Sequence, residues 1–365
     1  MLILKRKYFP FLVRFKLVFI GIGILLLIFT TTKLLLPKVF TLISPKIILS
    51  VAPKPALPIR HDNNQVNVLF MGIGGGNHEG PTLTDSMILV NLNLTTKKVA
   101  FVSLPRDIWV EEIKGKINAI YEVGERKKDG TGLILAKATV SQLLGVPVHY
   151  AVVIDFAAFE KIVDVLGGIE VNVDKTFDDY SYPIEGREDD LCGKTADELK
   201  DIVITDQNIN EVFPCRFESL HFSQGPQVFT GKQALKFVRS RHAKGEEGTD
   251  FARSKRQIKV ITAIKNKITK PEVFLNPTYL IKMSDELKND LFTDLGVDQL
   301  IYLGKDFVSV DLSAVKTLSL DMGTKEQPGL LTNPPVSKFG AYVLIPTNGD
   351  WQEIQQKVKE LFNSK

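Results

Sequence analysis

Apolar and polar positions change their period along this chain, and the changes mark out its elements. Asn67–Gly72, NVLFMG, is a short apolar run closed by glycine and reads as a buried strand. Met87–Asn91 and Val99–Leu104 read as two more, joined through the NLTTKK turn. From Gly130 to Leu144 the period becomes helical, with Leu133, Ala136, Val140, Leu143 and Leu144 on one side. Tyr150–Ile154 returns to strand, and Phe156–Leu166 is a helix stopped by Gly167-Gly168, a glycine C-cap. Ile169–Val173 is again a strand. TGKQALKFV predicts a short helix with Ala234, Leu235 and Val238 inward. Further helices are expected over Ile258–Ile268, Tyr279–Leu291 and Val297–Phe307, late strands over Val315–Leu320 and Gly340–Pro346, and a closing amphipathic helix over Trp351–Phe362 with Ile354, Val358 and Leu361 on one face. The alternation predicts an α/β chain, a three-layer α/β/α sandwich on a central sheet.

The N-terminal stretch follows another rule. Leu17–Leu36 is apolar apart from Lys33 and Thr30–Thr32, and gives roughly the 20 residues that cross a bilayer once Lys33 snorkels. A cleaved signal peptide is the alternative, but no Ala-x-Ala site follows closely. Lys5, Arg6, Lys7, Arg14 and Lys16 place the N-terminus in the cytoplasm and the rest outside the cell membrane. The expected organisation is a basic cytoplasmic tail at 1–16, a single transmembrane helix at 17–36, a Pro-rich linker at 37–65 and an extracytoplasmic domain at 66–365. Five prolines between Pro37 and Pro58 make the linker semi-rigid.

Charge changes the picture once it is divided. The formal net charge is +4, but residues 1–61 hold ten Lys or Arg and no Asp or Glu, so removing those ten leaves −6 for residues 62–365. An acidic domain argues against nucleic acid as a partner. Hydrophobic residues at 44% exclude disorder throughout. Cys192 and Cys215 are the only cysteines, an even count that allows one disulfide outside the cytoplasm. Both lie in residues 176–220, an acidic stretch expected to be a solvated surface insertion.

Candidate chemistry concentrates at FVRSRHAKGEEGTDFARSKRQ, residues 237–257, where Arg239, Arg241, Arg253 and Arg256 surround Asp250. If Arg239-Ser240-Arg241 is extended, both guanidinium groups leave one face. Asp250 stands at the expected N-cap of the next helix, where Arg253 and Gln257 share a face and Arg256 is off it, so Arg256 is expected to tolerate lysine. Guanidinium forks suit phosphate oxygens. A solvated charged turn with surface ion pairs is the competing reading. His242 reads as structural, and Lys116 stays open between the two. The glycine run GIGGG after the first strand fits neither a Walker loop nor a dinucleotide fingerprint. Arg106 and Asp107 stand just past a strand end, a usual place for functional groups.

TDSMIL around Asp85, SLPRD around Arg106, KINAIY around Asn118, DFAAFEKIVDVLGGIEVNV from Asp155, FVRSRH and DFARSKRQ occur in an order and spacing that resemble the LytR-CpsA-Psr family of membrane-anchored cell-wall glycopolymer transferases. The resemblance runs from about Asn67 to the C-terminus. It implies an α/β/α fold with a central mixed sheet and a groove for a polyprenyl-pyrophosphate lipid. The implied activity moves a glycopolymer from that carrier to a peptidoglycan hydroxyl, forming a phosphodiester. On this resemblance Arg106, Arg239 and Arg241 clamp the pyrophosphate with Arg253, and Gln257 and Asn118 stand beside the substrate. Asp107 and Asp250 belong to the catalytic set, and Asp85 holds Mg²⁺ (or Mn²⁺). Many members carry a second aspartate after the first strand, where this chain has Gly74. Asn77, His78 or Glu79, or pyrophosphate oxygens and water, are the alternatives for completing the metal's shell. Hydrolysis of the same carrier, and a non-catalytic membrane-tethered lipid- or glycan-binding protein, are the rival functions.

Overall fold

The computed structural model describes residues 58–363, apart from 77–79, 128–129, 206–207, 275–278, 280–281, 283–285, 288–289, 311–314 and 324–327. The span expected at 17–36 and the linker up to residue 57 lie outside the described residues, as does much of the helix expected over 279–291. Among the described residues no helix is long and apolar enough to cross a membrane.

Ten strands and seven helices position the site. The strands are β1 (Gln65–Ile73), β2 (Thr84–Asn93), β3 (Val99–Leu104), β4 (Tyr150–Asp155), β5 (Ile169–Val173), β6 (Phe177–Pro183), β7 (Phe217–Phe222), β8 (Gly225–Phe229), β9 (Leu291–Thr293) and β10 (Lys316–Ser319). The helices are α1 (Ile120–Lys127), α2 (Thr131–Leu144), α3 (Phe156–Val165), α4 (Gly231–Arg239), α5 (Asp250–Ile268), α6 (Val297–Ser309) and α7 (Gln352–Asn363). The central sheet is six-stranded, in the order β9-β4-β1-β2-β3-β10. It is mixed, because β1–β4 and β3–β10 run parallel while the other pairs are antiparallel.

Strand alternation divides its side chains between two faces. Leu69, Met71 and Ile73 of β1 join Met87, Leu89, Val102 and Val153 in a core shared with α1, α2 and α7. Val66 and Val68 join Val90, Phe101 and Val152 on the other face, against α6 and the Ile258 and Ile261 side of α5. Helices thus cover both faces, as the α/β pattern predicts. Leu133, Ala136, Val140, Leu143 and Leu144 of α2 are all buried.

Ile169–Val173 is a strand as expected, paired with β8 in a ribbon separate from the central sheet. One expectation is corrected. The stretch 176–220 is not merely a solvated loop: its two ends are β6 and β7, paired antiparallel, and Phe177, Tyr182, Leu220 and Phe222 sit in a second core with Phe229, Phe237 and Val260. Aromatic rings at alternating inward positions outweigh the acidic residues between them. Cys192 and Cys215 close the arm as a disulfide with Cα atoms 5.5 Å apart. The late strand expected over 340–346 shrinks to Ile345–Pro346.

Helix α5 ties the two cores together. Arg256, Val260 and Ala263 follow one stripe into the second core, while Ser254, Ile258 and Ile261 follow another toward the central sheet. Arg253 and Gln257 lie on the stripe between them, so the junction of the two cores is where they project. Gly231 allows the second core to close on α3, because a Cβ there would stand 2.2 Å from the Glu160 carbonyl oxygen.

Candidate functional site

The strand directions gather one end of the sheet. β1 ends at Ile73, which pairs with Asp155 at the end of β4, and with Thr84 at the start of β2. β3 ends at Leu104, opposite Met87. Loops after β1, β3 and β4 therefore emerge together at the carboxyl ends of parallel strands, the usual ligand position in open α/β sheets.

Asp85, at the start of β2, accepts a hydrogen bond from Arg106 Nη1 at 2.8 Å. Arg106 Nε is also 3.8 Å from Asp107, whose other oxygen accepts from Lys116 Nζ at 2.7 Å. Asp107 is 8% exposed, so two cations compensate its burial. Asn118 fixes the loop through its backbone: its N–H donates to the Arg106 carbonyl at 3.3 Å, and its own carbonyl accepts from Thr84 Oγ1 at 3.2 Å. Gln257 Nε2 reaches Ser86 Oγ at 3.4 Å, which brings α5 to the same spot. Arg253, one turn earlier, is buried.

Arg239 arrives from the β4 side. Its guanidinium carbon lies 4.1 Å from the Phe156 ring centre and 5.8 Å from that of Tyr182. Stacking uses the flat face of the guanidinium and leaves its in-plane N–H groups to donate. Burial pushes the Tyr182 phenol up to about 12, with Arg239 opposing. Asp155, immediately before Phe156, caps α3 by accepting from Ala158 N at 2.6 Å. Burial holds its carboxyl above the ordinary range, against that hydrogen bond. The glycine run passes directly over it: Gly75 has φ +69°, and a Cβ there would come 2.7 Å from the Asp155 Cβ.

The arginine turn differs from the expected strand. Arg239 is the last residue of α4 and Ser240 its C-cap at φ −52°, ψ 127°, so strand alternation does not set the direction of the two guanidinium groups. Asp179 holds the backbone of this turn. It is fully buried and accepts from Ser240 Oγ at 2.6 Å and from the Arg241 and His242 N–H groups, both at 3.2 Å. The Arg241 guanidinium makes no hydrogen bond or ion pair among the described residues. His242 is exposed and contributes its N–H.

Arg256 overturns the expectation that it tolerates lysine. It is 3% exposed, and donates to the carbonyls of Phe237 at 3.0 Å, Ser240 at 2.7 Å and Glu247 at 2.8 Å, and to the Glu247 carboxylate at 3.0 Å. Desolvation lowers its pKa, and the Glu247 and Asp179 charges oppose that. The expected N-cap also moves: Thr249 Oγ1 accepts from Ala252 N, and Asp250 is the first residue of α5. Asn77, His78 and Glu79 lie outside the described residues.

The sequence reading missed Asp179 and the structural weight of Arg256. Phe177 and Tyr182 flank Asp179 on one strand, and that aromatic pattern was the available signal.

For Mg²⁺ the donor set is small. Asp85 supplies one carboxylate, with Oδ1 engaged by Arg106, and Asp107 is held by Lys116. Among the described residues the one close grouping of metal-type ligands is Asp190, Cys192 and Cys215, whose sulfurs form the disulfide. Among the described residues the site thus has no all-protein cage. It fits an ion that takes one carboxylate and completes its shell with diphosphate oxygens and water.

A mixed sheet with helices on both faces, carrying arginines at the carboxyl ends of its strands, defines an α/β sandwich with a basic cluster at its strand ends. The LytR_cpsA_psr family model matches residues 45–360, and the chain belongs to that family. It is 28% identical over 247 residues to the polyisoprenyl-teichoic acid–peptidoglycan teichoic acid transferase TagU of Bacillus cereus, covering 66% of this chain and 64% of that protein. It is 26% identical over 261 residues to the corresponding transferase TagV of Bacillus subtilis, covering 70% of this chain and 56% of that protein. The chain thus spans just under two thirds, or less, of the length of these relatives. The crystal structure of B. subtilis TagV superposes with a TM-score of 0.54 at 21% identity, covering 84% of this chain and 100% of that one, a likeness of fold.

Proposed function

We propose that this protein transfers a glycopolymer from a polyprenyl-pyrophosphate carrier to a peptidoglycan hydroxyl, forming a phosphodiester and releasing polyprenyl phosphate. The observation that carries the reading is the gathering of Arg106, Arg239, Arg253 and Gln257 around the carboxyl ends of β1, β3 and β4, in a chain of this family. The transferase names of TagU and TagV support it.

Phosphoryl transfer is mainly positioning and charge neutralisation. Arg106, Arg239, Arg241 and Arg253 supply the cationic forks for the diphosphate, with Gln257 and Asn118 beside it. Asp107, paired with Lys116, stands where the acceptor hydroxyl would lose its proton. Asp250 opens the helix that carries Arg253. Asp85 would hold Mg²⁺ or Mn²⁺, which when bound supplies further neutralisation of the diphosphate. The isoprenoid chain would run between the sheet and α5, past Ile88, Phe101, Phe251, Ile258 and Leu318, where the gap in this structure holds only about 10 Å³, is also lined by Ser103, Ser254 and Thr317, and has to widen. Phe70 is 42% exposed on the same sheet face.

The topology is part of the proposal. A single helix at 17–36 anchors the chain with its N-terminus in the cytoplasm, and the Cys192–Cys215 disulfide suits an extracytoplasmic domain. The test is product analysis. Purified protein with Mg²⁺, a lipid-pyrophosphate-linked oligosaccharide and peptidoglycan fragments should yield glycan joined to the fragment through a phosphodiester. Free phosphorylated glycan would replace transfer with hydrolysis. Intact donor, bound but unchanged, would make the protein a lipid-binding one, the reading that Gly74 keeps open.

A further inference from the structure

Past Arg239, the last residue of α4, the turn through Arg241 has no regular secondary structure, yet it is held from two sides. From one side Arg256 donates to the Phe237 and Ser240 carbonyls. From the other, Asp179 Oδ2 takes three donors, Ser240 Oγ and the N–H groups of Arg241 and His242, while Oδ1 accepts from Ser181 N at 3.0 Å. The peptide between Ser240 and Arg241 therefore has its carbonyl fixed by a buried cation and its N–H fixed by a buried anion. An isolated bridge between Asp179 and Ala243 continues the hold by one residue.

Asp179 comes from another part of the chain. It lies on β6, where the pairing with β7 shifts register between Asp179 and Tyr182. Asp179 is two residues from Phe177 and shares its inward face by ordinary alternation, and the irregularity after it brings Tyr182 back to that face. A fully buried carboxylate is costly unless hydrogen bonds replace its water. Here the replacing donors belong to the arginine turn, so the compensation of Asp179 and the geometry of the turn are one arrangement.

We propose that Asp179 is a positioning residue for the anion site: it fixes the Arg239–His242 backbone so that the Arg239 and Arg241 guanidinium groups are preset for a diphosphate. The proposal rests on the reading of these arginines as the diphosphate clamp. Asp179 touches no substrate itself. Small misplacements of such a clamp cost rate steeply, because its donors must meet the charge that develops on the leaving phosphate.

Two variants test it. Asp179→Asn keeps the shape and removes the charge, and whichever way the amide turns, one N–H group faces another. Ser240→Ala removes only the hydroxyl donor and keeps the backbone. Binding of geranyl pyrophosphate is measured by calorimetry well below the melting temperature, alongside kcat and KM for transfer. Asp179→Asn should weaken binding about tenfold and lower kcat by at least about tenfold with a smaller change in KM. Ser240→Ala should follow in the same direction by a smaller factor, and it carries the test if Asp179→Asn does not fold. A lowered melting temperature with wild-type affinity and wild-type kcat in the folded variants would overturn the proposal, leaving Asp179 a stabilising residue alone. If the wild-type protein binds no geranyl pyrophosphate, the clamp reading fails first, and the positioning role falls with it.

Discussion

Arg256 and Arg241 belong to one cluster and do opposite work. Arg256 is buried and spends its fork on three carbonyls and Glu247, whereas Arg241 has its backbone fixed by Asp179. Lysine can replace a charge but not a planar fork. Arg256→Lys should therefore lower unfolding stability by about 2–3 kcal/mol, because buried carbonyls lose their donors. Chemical denaturation checks this, and an unchanged midpoint would contradict it. Arg239→Lys and Arg241→Lys should leave the melting temperature nearly unchanged and lower transfer at least about tenfold, roughly 1.4 kcal/mol of barrier. Transfer at the wild-type rate in both would return the turn to a solvated surface feature. His149 gives a residue-level pH effect. Its Nδ1 accepts from Asn67 N at 2.9 Å, which places the proton on Nε2, 3.1 Å from Asp62. Burial lowers its pKa, and Arg60 and His61 reinforce that, against Asp62. Above pH ~6.5 the ring is neutral in both states and its contribution is constant. As pH falls from there through the folded pKa, the unfolded chain takes the proton first and stability declines. His149→Asn should flatten that part of the curve when urea midpoints are compared between neutral and mildly acidic pH.

At the scale of elements, the sequence carried the central sheet well and the second core poorly. β1, β3, β4, α2 and α3 have dense apolar runs or clean helical periods, and local pattern sufficed for them. β6 and β7 did not stand out, because Asp178, Asp179, Glu218 and His221 interrupt the apolar residues that face inward. Their burial depends on rings brought by β8 and α4 from distant sequence, such as Phe229 and Phe237. The site was legible in the same uneven way. Arg106, Arg239 and Gln257 could be singled out by residue type and position, but Asp179 becomes meaningful only when β6 meets the end of α4. The arm between β6 and β7 makes its own prediction. Its disulfide joins residues 23 apart, and closing a loop of that size is worth roughly 3 kcal/mol at most. A Cys192→Ser/Cys215→Ser variant should melt earlier than the oxidised protein, and a reducing agent should shift only the latter. Equal melting would show that the arm opens before the rest unfolds.

For the whole molecule, the chain divides into a basic N-terminal stretch and an acidic domain, and the end of that stretch is not slack. Arg60 lies 4.2 Å from the Tyr150 ring centre and pairs with Asp294 at 2.8 Å, while Gln299 Nε2 donates to the Pro58 carbonyl at 3.2 Å. The end of the linker stretch is thus already docked on the domain. With the anchor inserted as proposed, protease added to intact cells should digest the domain and spare a tag placed before Lys5. A protected domain with a cleaved tag would reverse the orientation. As proposed, the carboxyl ends of β1, β3 and β4 form a diphosphate site beside the narrow gap between the sheet and α5. A crystal structure with a short polyprenyl pyrophosphate bound tests it most directly. Phosphate density is expected among Arg106, Arg239, Arg241 and Arg253, with the isoprenoid running past Phe70 and Ile258. Density for the diphosphate elsewhere, with those arginines unchanged, would contradict it.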